Sequence, residues 1–209
     1  MLTRYRAVFD PPLRVVARGL AALRVSPTGV TWASLVLQTA GAVLIAQGLL
    51  FRGTVVWAIG AILDSLDGTI ARLTGRVTRA GGYLDSLLDR YGDATILLAI
   101  GWHYDTAWIW TVCLLALLGS MATSYAKARA YQDVDVPSSS WPDLLERPER
   151  AFLIGFATGF QGMSDAGVWP EPLRAQFLPF VVVALAVLSH VTVVQRARRA
   201  LRFIAAEGP

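Results

Sequence analysis

Residues 64–89 read DSLDGTIARLTGRVTRAGGYLDSLLD and place four aspartates at regular spacing in a chain otherwise rich in apolar residues. Asp64 and Asp67 are three residues apart, and Asp85 and Asp89 are four residues apart. On an α-helix, each of these spacings puts both carboxylates on one face. Two helices that each present two carboxylates to the other would form an all-oxygen site suited to hard divalent cations. The stretch therefore predicts a pair of helices with a metal site between them.

The composition is that of an integral membrane protein. Of the 209 residues, 55 % are hydrophobic and 16 % are charged, and the mean hydropathy is +0.49. A chain in the hydrocarbon core must satisfy its backbone hydrogen bonds internally, which leaves only helices and closed barrels. The long apolar runs of this chain favour helices. We therefore expect an all-α integral membrane protein that forms a single domain over residues 1–209.

The apolar residues cluster into six stretches, preceded by an amphipathic segment. Residues 1–25 mix arginines with apolar side chains, which is typical of a helix lying in the membrane interface. Residues 26–205 are predicted to form a bundle of six transmembrane helices. The second and third stretches are weak hydropathy peaks because they contain the aspartates, and the fifth is short. The predicted spans cover roughly 30–51, 54–74, 82–102, 107–130, 150–165 and 175–198.

Basic residues are distributed unevenly over this arrangement. On the predicted topology, 17 of the 19 lysines and arginines lie on the side of both termini and the aspartates, whereas Arg52 and Arg174 lie opposite. Basic residues are retained on the cytoplasmic side of membranes. We therefore predict a multi-pass plasma-membrane protein whose termini and aspartate site are cytoplasmic. The net charge of +4 then reflects topology and attraction to anionic lipid headgroups, and we identify no nucleic-acid-binding module.

Several functions use carboxylates inside apolar helices, where such groups are costly and mark functional sites. A cation transporter, a proton relay and a structural network of charges paired with arginines would each explain four aspartates. The glycines favour a bound ligand, since Gly68 directly follows Asp67 and Gly81 lies one turn before Asp85. Glycine inside a helix costs about 1 kcal/mol relative to alanine, so its use suggests a close approach. Together with the nearby Arg72, these features suit a phosphate-containing substrate.

The pattern Asp-x2-Asp-Gly-x2-Ala-Arg-x8-Gly-x3-Asp-x3-Asp over residues 64–89 resembles the defining motif of the CDP-alcohol phosphotransferase family. All eight specified positions match. The resemblance also extends to the chain length, the six spans and the interfacial N-terminal helix. Members of this family are membrane enzymes, generally homodimers. They transfer a phosphate-linked lipid or alcohol from a CDP donor to an acceptor hydroxyl and release CMP.

Carried over to this chain, the resemblance implies a role for each motif residue. Asp64, Asp67 and Asp85 would ligate two divalent ions, Mg²⁺ or Mn²⁺. Asp89 would ligate one of these ions and act as the general base. Thr31 belongs to a segment that resembles the nucleotide-proximal segment before the family's first span. The residues implied in binding the donor, CDP-diacylglycerol, are Gly68, Ala71, Arg72, Gly81 and Thr31.

The acceptor is predicted from basic residues outside the motif. Lys127 is the only lysine, against 18 arginines, which suggests that a compact ammonium is required there. The stretches around Lys127, Arg147, Arg150 and Arg196 resemble those of the actinobacterial phosphatidylinositol-phosphate synthases, a branch of this family. This resemblance implies that these basic residues form a pocket for the phosphate of inositol 1-phosphate. Topology alone would also place basic residues at these helix ends.

Other functions remain open from the sequence. Within the family, the alternative is a phosphatidylglycerophosphate synthase, whose acceptor, glycerol 3-phosphate, also carries a phosphate. A transferase of the cardiolipin type or one that uses an unphosphorylated alcohol comes third. Outside the family, a cation transporter or a non-catalytic membrane scaffold would leave the glycines and the arginine of the motif unexplained.

Overall fold

The computed structural model describes residues 6–133, 141, 145–168 and 177–207, with the side chains of residues 6–12, 206 and 207 excepted. Within these residues there are seven α-helices and no strand, so the predicted all-α class is confirmed. The helices are α1 (Arg6–Ala22), α2 (Pro27–Ala46), α3 (Leu50–Leu73), α4 (Arg79–Tyr104), α5 (Ala107–Asp133), α6 (Arg147–Asp165) and α7 (Phe177–Glu207).

Helices α2–α7 correspond in order to the six predicted apolar stretches. Four of them, α2, α3, α5 and α7, are long and apolar enough to cross a membrane. Helices α4 and α6 fall short of that standard, because α4 carries several aspartates and arginines and α6 begins with charged residues. The described part of the chain is thus a helical membrane protein with four candidate membrane-spanning helices.

Local sequence sets the start of α2 and the connection between α3 and α4, the two helices that carry the aspartates. Ser26 caps α2 by accepting a hydrogen bond from the backbone N–H of Gly29 at 3.3 Å. The turn after α3 contains Gly75 at φ 66°, a conformation that favours glycine. Thr78 then caps α4 by accepting from the N–H of Gly81 at 3.0 Å. This short connection holds the last turns of α3 next to the first turns of α4.

Helix α2 packs closely against α3 through glycines. A Cβ on Gly53 would lie 2.6 Å from the carbonyl oxygen of Gly41 and 2.7 Å from the backbone nitrogen of Ile45. A Cβ on Gly60 would similarly lie 2.8 Å from the carbonyl oxygen of Ser34. Small residues allow such backbone approach, which drives helix association in membranes. Helix α2 also packs against α4, so it supports both helices that carry the aspartates.

The interior and exterior of the bundle are both apolar. Buried side chains such as Ile45, Trp57 and Ile100 form the main core between the helices. Large apolar side chains such as Val36 and Leu118 are exposed on the outside. An exterior of this kind is suited to contact with lipid chains rather than water.

Helix α1 lies against the end of α3 that carries the aspartates. Ala17 is fully buried and forms a second apolar cluster with Val30, Leu66 and Ile70. On its other side α1 exposes apolar residues, including Val15 at 67 %. Helix α1 therefore supports the aspartate-bearing end of the bundle and still presents an apolar surface of its own.

We expect the substitution Gly53→Val to destabilise the bundle, because its side chain would meet the backbone of α2, which cannot move aside. Overpacking of this kind costs about 1–3 kcal/mol. In a chain of this size, that corresponds to a fall in Tm of roughly 2–12 °C. Thermal unfolding of the purified protein in detergent, followed by circular dichroism, measures the change.

Gly19→Ala is the matched control, because Gly19 lies in a helix and a Cβ there would have no neighbour within 4 Å. Its Tm should equal that of the wild type or exceed it slightly. Equal Tm values for the Gly53→Val and Gly19→Ala variants would show that the close α2–α3 contact does not contribute to stability.

Candidate active site

Three carboxylates, two buried and one half-buried, meet where α3 and α4 approach each other. Asp64 and Asp67 are each only 7 % exposed on α3, and Asp85 is half-buried on α4. One oxygen of each carboxylate lies within 4.8 Å of the others. The pairing of two helix faces that was expected from the spacing is therefore present for these three aspartates.

Hydroxyl groups of α2 fix the orientation of two of these carboxylates. Thr31 donates a hydrogen bond to Oδ2 of Asp67 at 2.7 Å, and Ser34 donates to Oδ1 of Asp64 at 3.3 Å. The backbone N–H of Gly68 donates to the other oxygen of Asp67. The structure thus places Thr31, which the sequence assigned to the nucleotide, in direct contact with a predicted metal ligand.

This arrangement fits a divalent cation. Three carboxylates crowded within 4.8 Å repel one another, and burial weakens the screening of that repulsion. Hard cations such as Mg²⁺ and Mn²⁺ prefer oxygen ligands and would offset the negative charge. The hydroxyls of Thr31 and Ser34 supply the outer hydrogen bonds that orient carboxylate ligands in metal sites.

Asp89 lies beside this group and is paired with arginines. Its Oδ1 is 2.5 Å from a terminal nitrogen of Arg147, and its Oδ2 is 3.5 Å from Arg90. The same nitrogen of Arg147 donates to Oδ2 of Asp64 at 2.7 Å. Arg147 begins α6, so α6 brings a positive charge directly to the aspartates. The sequence grouped Arg147 with the predicted acceptor residues, and the structure places its guanidinium group between Asp64 and Asp89.

The other predicted acceptor residues lie on α5, α6 and α7 around the same end of the bundle. Arg150 is 92 % buried, and one of its terminal nitrogens donates to the carbonyl oxygen of Leu145 at 3.1 Å. Arg196 is also buried and donates a hydrogen bond to the carbonyl oxygen of Thr123. Its positive charge is close enough to that of Arg150 for the two to repel each other. Lys127 is half-buried on α5, one turn after Thr123 and therefore on the same face.

The remaining predicted donor residues lie on α3 and at the start of α4. Gly68 and Ala71 are half-buried on α3. Arg72 is exposed and donates to the hydroxyl of Thr69 at 3.1 Å. A Cβ on Gly81 would lie 3.0 Å from the capping hydroxyl of Thr78, so a tight helix start also accounts for this glycine.

The structure adds one residue that the sequence analysis missed. Asp93 lies one turn beyond Asp89 on α4, and its carboxylate lies 3.5 Å from Arg147 and 3.6 Å from Arg150. It also accepts a hydrogen bond from Ser120 of α5 at 2.9 Å. The signal was available in the sequence, because Asp85, Asp89 and Asp93 follow one another at intervals of four and share one helix face.

Comparisons with known proteins identify the family of this chain. A family model described as CDP-alcohol phosphatidyltransferase matches residues 24–195. The chain is 32 % identical over 205 residues to the phosphatidylinositol phosphate synthase of Cutibacterium acnes, with 94 % of this chain and 95 % of that protein covered. It is also 32 % identical over 197 residues to the archaetidylinositol phosphate synthase of Pyrococcus horikoshii, with 94 % of each covered.

Solved structures show the same fold. The crystal structure of the Mycobacterium tuberculosis phosphatidylinositol phosphate synthase with CDP-DAG bound matches with a TM-score of 0.74 and 32 % identity, over 92 % of each chain. The same protein in complex with manganese and citrate matches with a TM-score of 0.75 and 31 % identity, over 90 % of this chain and 88 % of that one. The chain therefore belongs to the CDP-alcohol phosphatidyltransferase family, as its motif predicted, and is a membrane transferase that uses divalent cations.

Proposed function

We propose that the protein transfers the phosphatidyl group of CDP-diacylglycerol to a hydroxyl of inositol 1-phosphate and releases CMP. The observation that carries this proposal is the meeting of a carboxylate cage with a group of buried arginines at one end of the bundle. The cage suits a pyrophosphate donor with its metal ions, and the arginines suit a second, phosphorylated substrate. The names of the relatives, which are synthases of inositol phosphate lipids, support the same acceptor.

In the proposed reaction, the acceptor hydroxyl oxygen attacks the phosphorus that carries the diacylglycerol. The bond between this phosphorus and the oxygen of CMP breaks, and CMP leaves. Asp64, Asp67, Asp85 and Asp89 would hold two divalent ions, Mg²⁺ or Mn²⁺. When bound, such ions neutralise the pyrophosphate and make CMP a better leaving group.

Asp89 is the proposed general base, which takes the proton from the acceptor hydroxyl. Its position supports this role, because it lies between the three clustered carboxylates and the arginines Arg90 and Arg147. A base must come within hydrogen-bond reach of the proton that it removes. An acceptor whose phosphate lies on the arginines would present its hydroxyl on the side of Asp89.

The two substrates are proposed to bind on opposite sides of Asp89. The donor's cytidine and phosphates would lie along the outer edge of the cage. The acceptor phosphate would lie among basic residues from three helices, where several positive charges act on one anion. The proposed donor residues are Gly68, Ala71, Arg72, Thr31 and Gly81. The proposed acceptor residues are Lys127, Arg147, Arg150 and Arg196.

We further propose that residues 1–209 form one domain that crosses the plasma membrane six times. Helix α1, within residues 1–25, would lie in the cytoplasmic interface, and residues 26–205 would contain the six spans. The exposed apolar side of α1 supports the first assignment, and the helical continuity of α4 and α6 supports the second. The family resemblance supports a homodimer.

Replacing the proposed base tests the reaction. Asp89→Asn should lower turnover by about a hundredfold or more, because a general base contributes roughly 10²–10⁴-fold. Binding of the CDP donor should change little, since the amide keeps an oxygen at this position. Product formation from radiolabelled inositol 1-phosphate, together with CMP binding in the presence of Mn²⁺, separates the two effects. Turnover like that of the wild type would contradict the role assigned to Asp89.

Neutralising the acceptor arginines tests substrate identity. Arg150→Gln and Arg196→Gln should each raise the KM for inositol 1-phosphate by roughly ten- to a hundredfold, as expected for loss of a charge-assisted contact of about 1.5–3 kcal/mol. The KM for CDP-diacylglycerol should stay nearly constant. Lys127→Gln should behave in the same way.

Arg129→Gln is the matched control, because Arg129 pairs with Asp133 on the surface of α5, with a side chain that is 49 % exposed. Its KM values should equal those of the wild type. Free inositol should be a much poorer acceptor than inositol 1-phosphate. Turnover with glycerol 3-phosphate and none with inositol 1-phosphate would identify a phosphatidylglycerophosphate synthase instead and leave the donor site as proposed.

Cysteine labelling tests the orientation. In a Cys113→Ala background, which removes the single native cysteine, Val77→Cys and Val168→Cys place thiols at exposed positions at opposite ends of the bundle. A membrane-impermeant thiol reagent added to intact cells should label position 168 and spare position 77. This pattern is expected because basic residues gather at the aspartate end, which places that end in the cytoplasm. The reverse labelling pattern would contradict a cytoplasmic site.

A further inference from the structure

Asp93 is surrounded by the guanidinium groups of three arginines, although it lies outside the sequence motif. Its side chain is 12 % exposed, and it faces Nε of Arg147 at 3.5 Å and a terminal nitrogen of Arg150 at 3.6 Å. Arg90 approaches the same carboxylate at 3.8 Å. One carboxylate therefore holds three positive charges together on the inner side of the proposed acceptor site.

Helix α5 fixes this carboxylate from the other side. Ser120 is buried and donates to Oδ2 of Asp93 at 2.9 Å. One turn later on α5, the hydroxyl of Ser124 accepts a hydrogen bond from Arg90. Asp93 thus has little freedom to turn, and its position is set by the packing of α4 against α5.

A small cavity of about 30 Å³ lies beneath Asp93, bordered by Ser120, Arg150, Trp57 and Ser189 among others. Nε of Arg150, the indole nitrogen of Trp57 and the hydroxyl of Ser189 make no hydrogen bond to another atom in the described part of the chain. The volume is sufficient for one water molecule, which requires about 10–15 Å³ of such space.

Arg150 depends on Asp93 more than the other two arginines do. Arg147 and Arg90 each pair with a second carboxylate, that of Asp89. Within the described residues, Asp93 is the only carboxylate that forms an ion pair with Arg150. If the charge at position 93 were lost, Arg147 and Arg90 could move towards Asp89. Arg150 would keep its bond to the carbonyl oxygen of Leu145 but would have no carboxylate partner within the described residues.

We propose that Asp93 is a positioning residue for the acceptor site and sets the direction in which Arg150 presents its N–H groups to the acceptor phosphate. The proposal rests on the function proposed above. Asp93 does not touch the substrate. Each terminal nitrogen of an arginine carries two hydrogens, so Arg150 can bond Asp93 and Leu145 and still offer an N–H group from each terminal nitrogen to a phosphate.

A double-mutant cycle on the full-length enzyme tests this role. KM values for inositol 1-phosphate and CDP-diacylglycerol are measured for the wild type, Asp93→Asn, Arg150→Gln and the double variant. Asp93→Asn should raise the acceptor KM about tenfold and leave the donor KM within about twofold, because one charge-assisted contact is lost indirectly. The double variant should be little worse than Arg150→Gln alone, because a residue acting through Arg150 has no further effect once Arg150 is replaced.

Two further variants keep the test informative if Asp93→Asn folds poorly. Asp93→Glu retains the charge and should recover part of the acceptor affinity. Ser120→Ala loosens Asp93 without removing it and should raise the acceptor KM a few-fold. Asp105→Asn is the matched control at the opposite end of α4, where Asp105 adopts φ 44°, a conformation that asparagine tolerates. Its kinetic constants should equal those of the wild type.

Several results would overturn the proposal. These are an unchanged or lowered acceptor KM in Asp93→Asn, an equal rise in both KM values, or additive effects of the two substitutions. The acceptor specificity of the wild-type enzyme distinguishes failure of this proposal from failure of the proposed function. If the wild type uses a different phosphorylated acceptor, the function is wrong and the same cycle is measured with that acceptor. A wild type that is inactive with every phosphorylated acceptor overturns both.

Discussion

Charge compensation inside an apolar bundle is the constraint on which the rest of this structure depends. Burying a carboxylate in a membrane-embedded bundle costs free energy unless an opposite charge or a metal ion lies next to it. Here Asp64, Asp89 and Asp93 form ion pairs with arginines from α4 and α6, and Thr31 of α2 donates a hydrogen bond to Asp67. The helices that supply these charges are far apart in sequence. The ionic site therefore links the elements of the bundle at one end, where the chain also places most of its basic residues.

Helix α4 connects the two halves of the site. Asp85 belongs to the carboxylate cage, Asp89 lies at the boundary, and Asp93 lies among the arginines. Because these residues are spaced by four, one helix face runs from the proposed metal ions to the proposed acceptor phosphate. A rigid helix keeps these two regions at a constant separation. That property suits a reaction in which a hydroxyl must reach the phosphorus of a second substrate.

The packing of α2 explains how the cage keeps its shape. Glycines let α2 approach the backbone of α3, and this closeness brings the hydroxyls of Thr31 and Ser34 to Asp67 and Asp64. In lipid, helix association depends on such close contacts more than on the hydrophobic effect. The small residues therefore permit the helix–helix contact that orients the proposed metal ligands.

The sequence by itself determined the helical class, the order of the helices and which aspartates share a helix face. These properties follow from local quantities: apolar runs predict helices, and spacings of three and four residues put Asp64 with Asp67 and Asp85 with Asp89 on common faces. The family motif added the proposed roles. The sequence also predicted six spans. Within the described residues, four helices are long and apolar enough to cross a membrane, whereas charges within α4 and α6 lower the hydropathy of those two helices.

Only the tertiary structure decided which partners each charge meets. No local pattern predicts that Arg147 bridges Asp64 and Asp89. Nor does one predict the hydrogen bond from Thr31 to Asp67, or the ion pairs of Asp93 with arginines of α4 and α6. These contacts join residues from different helices, and their geometry depends on how closely the helices pack and on their rotation about their axes. Sequence spacing places residues on the faces of single helices, whereas the faces meet only through packing of the whole bundle.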